Sequence, residues 1–459
     1  MKKIFTSKIF IISLITLLLS IPLGMIADKI TERSHYFAQA KTSVANSWTG
    51  QQKVMGPLIV IPYVIHKQVE VWNKESKEKT IKIVKQSKQK YLLPKTLNIE
   101  ALVKVDARSK GIYKIPVYTT QLNFSGAIDT QRIQKALIGL KDQAEFVTIG
   151  SPYLSATISD TRGINSIPVL KWANQQLSFK PGSLLRCNQN GIHAPLFELD
   201  TQHGRTEFNF GLELRGMESL VFVPTAMEVG VNVSSHWQHP QFVGRFLPVN
   251  REISEEGYQA EWKITSFASN IEDKIRKCEN GKCTTLTASS FGVKHIEPVD
   301  VYLQSERSVK YGLLFIGLSF VSFFLFEVLK QLPIHSIQYT LVGFAIAVFY
   351  LLLVSLSEHI AFSLAYLIAT LSCISLQFFY LNFVLRGVKQ AVAFSVLLGV
   401  LYAVLYVIIS AEDFAFLMGA VLTFVALSVV MITTRKVDWY KDAQKVNIPS
   451  EEHEAVAGQ

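Results

Sequence analysis

The sequence predicts a polytopic membrane protein: six transmembrane α-helices, one N-terminal and five C-terminal, around a large β-rich, sandwich-like domain. Three observations predict it. Mean hydropathy is positive, at +0.25, and only 18% of residues are charged. Apolar residues concentrate in one N-terminal run and in a nearly continuous tract from Tyr311 to Thr433. The sequence between them alternates with period two in several stretches, as half-buried strands do.

The first apolar run is Ile9 to Ala27, preceded by Lys2, Lys3 and Lys8. A cleaved signal peptide also begins this way. Here the run is long enough to span a ~30 Å hydrocarbon core, and Met25 occupies a position where signal cleavage wants a small residue. An uncleaved anchor over 1–27 is expected. The C-terminal tract divides into spans near 311–329, 336–356, 360–384, 391–410 and 413–433, within a bundle over 309–434 followed by a tail over 435–459. Short connections make successive helices antiparallel neighbours.

Charge sets the orientation. With the basic N-terminus inside, the connections holding Lys330, Arg386 and Lys389, and Arg435 and Lys436 all fall inside, whereas "SEH" (357–359) and "AED" (411–413) fall outside. This agreement with the positive-inside rule predicts N-in, C-in topology with the large domain outside, on the periplasmic side. Trp439 and Tyr440 suit an aromatic belt at the inner interface. Glu327, three residues from Lys330, is expected to reach headgroups there. Glu358 and His359 read as a tight turn facing outward, able to dock the soluble domain through a basic residue. They do not read as a buried proton relay.

Residues 28–308 form the soluble region. Ile30, Phe37, Ala40, Val44 and Ala45 recur at helical spacing, so a helical stalk is expected over 28–49, stopped by Gly50. "GPLIVIPYVIHKQVEVW" from Gly56 is strand-like, and Pro57 and Pro62 suggest an edge or bulged strand. A lysine-rich hairpin follows, read as an edge kept soluble by charge in preference to an anionic-lipid contact. Further strands are "TLNIEALVKVDA", "GIYKIPVYTTQLNFSGAI", "FNFGLELRG", "SLVFVP", "MEVGVNVSS" and "YQAEWKITSF". Asp129 caps a helix whose Ile133, Ala136, Leu137 and Leu140 share one face. At about 280 residues the region has room for two β subdomains.

Chemistry is sparse. Cys278 and Cys283 bracket "ENGK", and Asn280-Gly281 suggests a two-residue hairpin turn that would pair the cysteines as a disulfide. A metal there would need two further ligands that the local sequence does not offer. Cys187 has no evident partner, and Cys373 reads as packing within a span. His236 and His239, in "SHWQHP", are three apart and would point to opposite faces of a strand, so no metal site is expected. His236, Trp237 and His239 are instead candidate interaction residues, set against a packed strand-to-loop corner. "SDTRGI" (159–164) reads as a structural loop. No nucleotide, hydrolase or zinc-protease motif is present, so neither enzymatic activity nor a cofactor is expected. The net charge of +10 is carried partly by span flanks and does not indicate nucleic acid.

The stretches "GPLIVIPY" (56–63), "SDTRGI" (159–164), "SHWQHPQFVGRFLP" (235–248), "REISEEGYQAEW" (251–262), "LSEH" (356–359) and "TRKVDWY" (434–440) together resemble the CreD family of bacterial inner-membrane proteins. The likeness covers almost the whole chain and is weaker in the lysine-rich hairpin, in "CENGKC" and beyond Lys441. The resemblance implies a role in envelope integrity, within a regulon under a sensor kinase and response regulator, with links to colicin tolerance and β-lactam susceptibility. It implies no catalytic residues. A non-enzymatic envelope protein with membrane lipids and an envelope protein, lipid or cell-wall partner is therefore expected. A transporter or lipid-handling protein is the alternative, because uncharged helix grooves can pass apolar molecules. A membrane-bound hydrolase lacks any recognisable nucleophile–base pair.

Overall fold

The computed structural model describes residues 2–72, 79–142, 147–196, 204–296, 301–330, 334–385, 387–411 and 415–435, with the side chains at the ends of some of these stretches left aside. The lysine-hairpin tip, Arg386, "ED" of 412–413 and the tail from 436 lie outside them. The chain divides into two compact units, Met1–Ala38 with Val299–Gln459, and Gln39–Pro298. The expected limits of 28 and 308 thus fall ten or so residues outside those of the β unit.

Among the described residues, six helices are long and apolar enough to cross a membrane. The incoming helix runs unbroken from Lys2 to Ser47. It carries both the expected anchor and the stalk, and its last turns, from Gln39, belong to the second unit. The others are Gly312–Lys330, Ser336–Ser357, Phe362–Val384, Val388–Ser410 and Ala415–Thr434. A short amphipathic helix, Val301–Lys310, precedes them and was not anticipated. The core of the first unit is aromatic, with Phe320, Phe323, Tyr339, Tyr350 and Tyr402 almost fully buried. Phe379, Phe383, Phe424 and Ile432 point outward, each about 70% exposed.

In the second unit, two sheets of nine and eight described strands pack on one shared core. Ile59, Ile61 and Phe222 come from one sheet and Leu97, Phe124 and Trp262 from the other. The two sheets therefore share one main core, and the described residues do not divide into the two β subdomains that the length allowed. Each such side chain removed from water contributes roughly 2 kcal/mol.

The strand Gln52–Trp72 lies inside the first sheet, not at its edge. It pairs in parallel with Ser219–Val223 and antiparallel with Lys79–Leu92, Val147–Ile149 and Tyr153–Ile158. A register shift between Met55 and Leu58 absorbs Pro57. It also reverses the side-chain parity: Val54, Ile59 and Ile61 enter the main core, whereas Met55, Leu58 and Val60 enter a smaller one. The bulge was legible from the prolines, but the central position was not, because a bulge lets a strand keep partners on both sides.

The smaller core corrects another reading. "CENGKC" is not a hairpin. Ile271–Glu279 is a helix whose Ile271, Ile275 and Cys278 are buried against the outer face of the first sheet. Gly281, at φ 84°, ends it, with its N–H donating to the Cys278 carbonyl at 2.8 Å and that of Lys282 to Lys277 at 3.0 Å. This is a left-handed helix stop. The pair Asn-Gly suits a helix end as well as a hairpin, and the i, i+4, i+7 apolar spacing decides between them. The disulfide Cys278–Cys283 forms nonetheless, because a tight turn also brings the two cysteines together.

Candidate functional site

The motifs "SDTRGI" and "SHWQHP" meet the two chain ends of the β unit, one at each. At the incoming end, the Arg162 guanidinium donates to the carbonyls of Asn46 (2.6 Å) and Ala45 (3.1 Å), which lie at the C-terminus of the incoming helix. Such carbonyls lack helical partners and carry the negative end of the helix dipole. The same guanidinium forms a two-point pair with Asp160, Nε to Oδ1 at 2.9 Å and Nη2 to Oδ2 at 2.6 Å. Asp160 Oδ2 also accepts the Gly50 N–H at 2.9 Å. These donors, Arg162 foremost, hold the Asp160 carboxyl below its ordinary range.

Gln52 is fully buried behind this pair. Its Nε2 donates to the carbonyls of Asp160 (3.0 Å) and Arg215 (2.8 Å). Gly163 belongs here for space, since a Cβ would collide with the Arg215 carbonyl. The Trp48 ring, one residue past the helix, lies between the guanidinium groups of Arg108 (4.5 Å) and Arg215 (4.8 Å).

At the outgoing end, Glu218 sits at φ 57°, a conformation most side chains avoid. Its carboxylate accepts from Lys41 Nζ at 2.6 Å and Gln51 Nε2 at 3.0 Å. Burial raises the Glu218 pKa, but Lys41, Gln51 and Lys294 outweigh it and hold the carboxyl below its usual value. Its carbonyl accepts the His295 N–H at 2.7 Å, at the end of the outgoing strand Phe291–His295. One residue therefore ties the incoming helix to the last strand before the chain leaves the domain.

His295 is almost fully buried. Its Nε2 meets the Tyr258 hydroxyl at 2.9 Å, and its ring lies between those of Tyr118 and Tyr258. Burial lowers its pKa from 6.5 to about 4.

The corner "SHWQHP" grips the same end. Trp237 is half-buried, and its Nε1 donates to the Ile296 carbonyl at 3.1 Å. His236 Nε2 lies 3.0 Å from the Val105 carbonyl. His239 is exposed. Among the described residues, no third metal ligand is brought to His236 and His239; the cysteines Cys187, Cys278 and Cys283 form the cluster that is.

In the helical unit, Glu358 closes the helix Ser336–Ser357, and His359 follows exposed in the turn. The Glu358 carboxylate is 3.4 Å from Arg33 Nε of the incoming helix and 3.5 Å from the Tyr302 hydroxyl. This basic partner, Arg33, belongs to the same compact unit as Glu358. Glu327 departs from expectation. It turns inward, buried, and accepts the Tyr339 hydroxyl at 2.7 Å, because a tyrosine on the next helix satisfies it better than an apolar surround. The bundle interior also holds an uncharged polar cluster in which Tyr402 and Gln377 reach Cys373 Sγ at 3.2 and 3.4 Å.

Two of the stretches that carried the family resemblance, "SDTRGI" and "SHWQHP", supply part of these clamps. A family model described as Inner membrane protein CreD matches residues 4–440. The inner membrane protein CreD of Escherichia coli (strain K12) is 34% identical over 424 residues, covering 92% of this chain and 91% of that one. The chain belongs to the CreD family. It is accordingly a multi-pass inner-membrane protein, as the apolar helices require. Within this CreD-family chain, the sequence flagged His236, Trp237, His239, Glu358 and His359 and read Asp160 to Gly163 as part of a structural loop, but passed over Trp48, Glu218 and His295. The available signal was the Asp-x-Arg-Gly spacing of 160–163, where a glycine beside an ion pair indicates close backbone approach. Nothing local in the sequence marks Glu218 or His295.

Proposed function

We propose that this CreD-family protein is a non-enzymatic contributor to envelope integrity, in which a periplasmic β sandwich binds an envelope partner and is held firmly to its chain connections. The observation that carries this reading is the double clamp. Arg162 and Lys41 fix the end of the incoming helix, Trp237 and Glu218 fix the outgoing strand, and Glu218 joins the two. A flexible tether would need none of these polar contacts. Two connections fixed to one rigid sandwich suit a domain that transmits load or a bound state to its membrane helices.

The orientation proposed is N-in and C-in. Its support is the placement of Lys330, Lys389 and Arg435 on one side of the helix order and Glu358 on the other. The disulfide Cys278–Cys283 suits an oxidising compartment. Outward apolar side chains such as Phe379 and Phe424 supply the lipid contact. Partner contact is best sought at Ile167, 83% exposed on the loop that follows Arg162, and at His239, because Trp237 is already engaged.

The test is made in cells. Arg162→Ala and Trp237→Ala should impair envelope-stress tolerance at unchanged membrane levels, and photo-crosslinkers at Ile167 or His239 should capture the same partner reproducibly. Full tolerance in both variants, with no crosslinked product, would remove the reading. Substrate flux in proteoliposomes would favour the lipid-handling alternative, for which the uncharged polar cluster around Cys373 is the specific observation.

A further inference from the structure

Three sulfurs meet on the outer face of the first sheet. Cys187 Sγ lies 3.5 Å from Cys278 Sγ of the disulfide, and all three cysteine sulfurs lie within 4.8 Å of one another. Cys278 and Cys283 are buried, whereas Cys187 is exposed. A separation near 3.5 Å is contact distance, and because the third sulfur also lies within 4.8 Å, the exposed Cys187 side chain must swing to line up with the bond it attacks.

The placement is built from both sides by one stretch of strand. Gln89 holds the loop bearing Cys187: its Nε2 donates to the Leu184 carbonyl at 2.7 Å, and its Oε1 accepts the Arg186 N–H at 3.2 Å. Two residues on, the Tyr91 N–H donates to Glu279 Oε1 at 2.9 Å, and Lys90 Nζ reaches Glu279 Oε2 at 3.1 Å. Glu279 directly follows Cys278. Leu185, 1% exposed, packs in the same small core as the two disulfide cysteines. Thiol and disulfide are thus anchored to the same three residues, Gln89 to Tyr91.

We propose that Cys187, Cys278 and Cys283 form a thiol–disulfide exchange site that carries a buried disulfide to the surface. The Cys187 thiolate attacks Cys278 Sγ. A Cys187–Cys278 bond forms, the Cys278–Cys283 bond breaks, and Cys283 leaves as a thiolate that takes up the proton lost by Cys187. No oxidant or reductant is consumed, and the protein still holds one disulfide. In the new isomer one sulfur belongs to an exposed residue. An external thiol reductant then attacks Cys187, releasing Cys278, and a second thiol frees Cys187. Two external thiols become one disulfide, and the protein gains two thiols.

The resting state is explained by the surroundings. Cys283 is buried in an apolar core, a poor place for a departing thiolate. Although the residue is exposed, the surfaces its sulfur rests on desolvate it and raise the Cys187 pKa, so it rests as a thiol. Exchange is therefore slow near neutrality and speeds up as pH rises.

The test uses the full-length protein in detergent with its disulfide intact. Dithiothreitol is added, free thiols are alkylated at intervals, and the labelled peptides are mapped by mass spectrometry. An intramolecular thiol in contact outcompetes a millimolar external one, so Cys187→Ser should slow opening of Cys278–Cys283 by at least about tenfold. Equal rates would overturn the proposal, and this variant keeps the native disulfide and so its fold. In the second arm, Cys283→Ser prepared under oxidising conditions should contain a Cys187–Cys278 linked peptide. If both cysteines alkylate freely in a protein that melts like the wild type, the proposal also fails. If that variant misfolds, the reduction rates decide.

Discussion

Acidification should destabilise the β unit through His295 before it touches the clamp carboxylates. His295 is 1% exposed, and among the described residues its Nδ1 has no hydrogen-bond partner. Burial is the main cause of its lowered pKa; the nearby Glu218 carbonyl opposes it, and His236 lowers it further. The folded-state pKa, about 4, lies below the unfolded value of 6.5, so between these pH values the unfolded chain binds the extra proton. Stability is full above 6.5 and falls as pH drops toward 4. Over that interval, at about 1.36 kcal/mol per unit, the loss amounts to about 3 kcal/mol. Glu218 and Asp160, whose pKa values are held below 4.5 and 3.8, stay ionised through most of the window. The assay is chemical unfolding of the full-length protein in detergent, followed by tryptophan fluorescence, since Trp172 and Trp262 lie in the sandwich core. The stability of wild type relative to His295→Gln should shrink by about 3 kcal/mol between pH 6.5 and about 4. Parallel pH curves for the two proteins would refute the reasoning.

Other outcomes follow from the same contacts. Arg162→Ala removes bonds to Asp160 and to two helix-end carbonyls, and should lower the midpoint of chemical unfolding. Arg162→Lys should recover less than half of that loss, because an ammonium cannot reproduce the two-point fork. Glu358→Gln should leave membrane insertion intact by fractionation, and breaking its pair with Arg33 should cost under about 1 kcal/mol, recovered in the Arg33→Glu, Glu358→Arg double variant. A topology probe belongs at His359→Cys and not at Ser357, which is buried against the Val354 carbonyl; it should react with an impermeant thiol reagent from the periplasmic side, and labelling only from the cytoplasm would reverse the proposed orientation.

The sequence by itself determined the helices that cross the membrane, because twenty apolar residues in a row have few other uses. It also determined most strands, from their period of two, and the helix Thr130–Asp142, where Asp129 caps the Gln131 N–H at 3.0 Å as its position suggested. These signals are local: each depends on residues within one element. Tertiary structure alone decided what depends on partners distant in the chain. It placed the strand Gln52–Trp72 inside a sheet, turned Glu327 toward Tyr339, and made "CENGKC" a helix end by offering Ile271, Ile275 and Cys278 a surface to cover. Above all, it joined Lys41, Glu218 and His295, which are 177 and 77 residues apart in sequence order. It likewise set Cys187 against a disulfide 91 residues away. Neither spacing carries a period or a motif. The order of strands in the two sheets creates both, so they became visible only when the chain was folded.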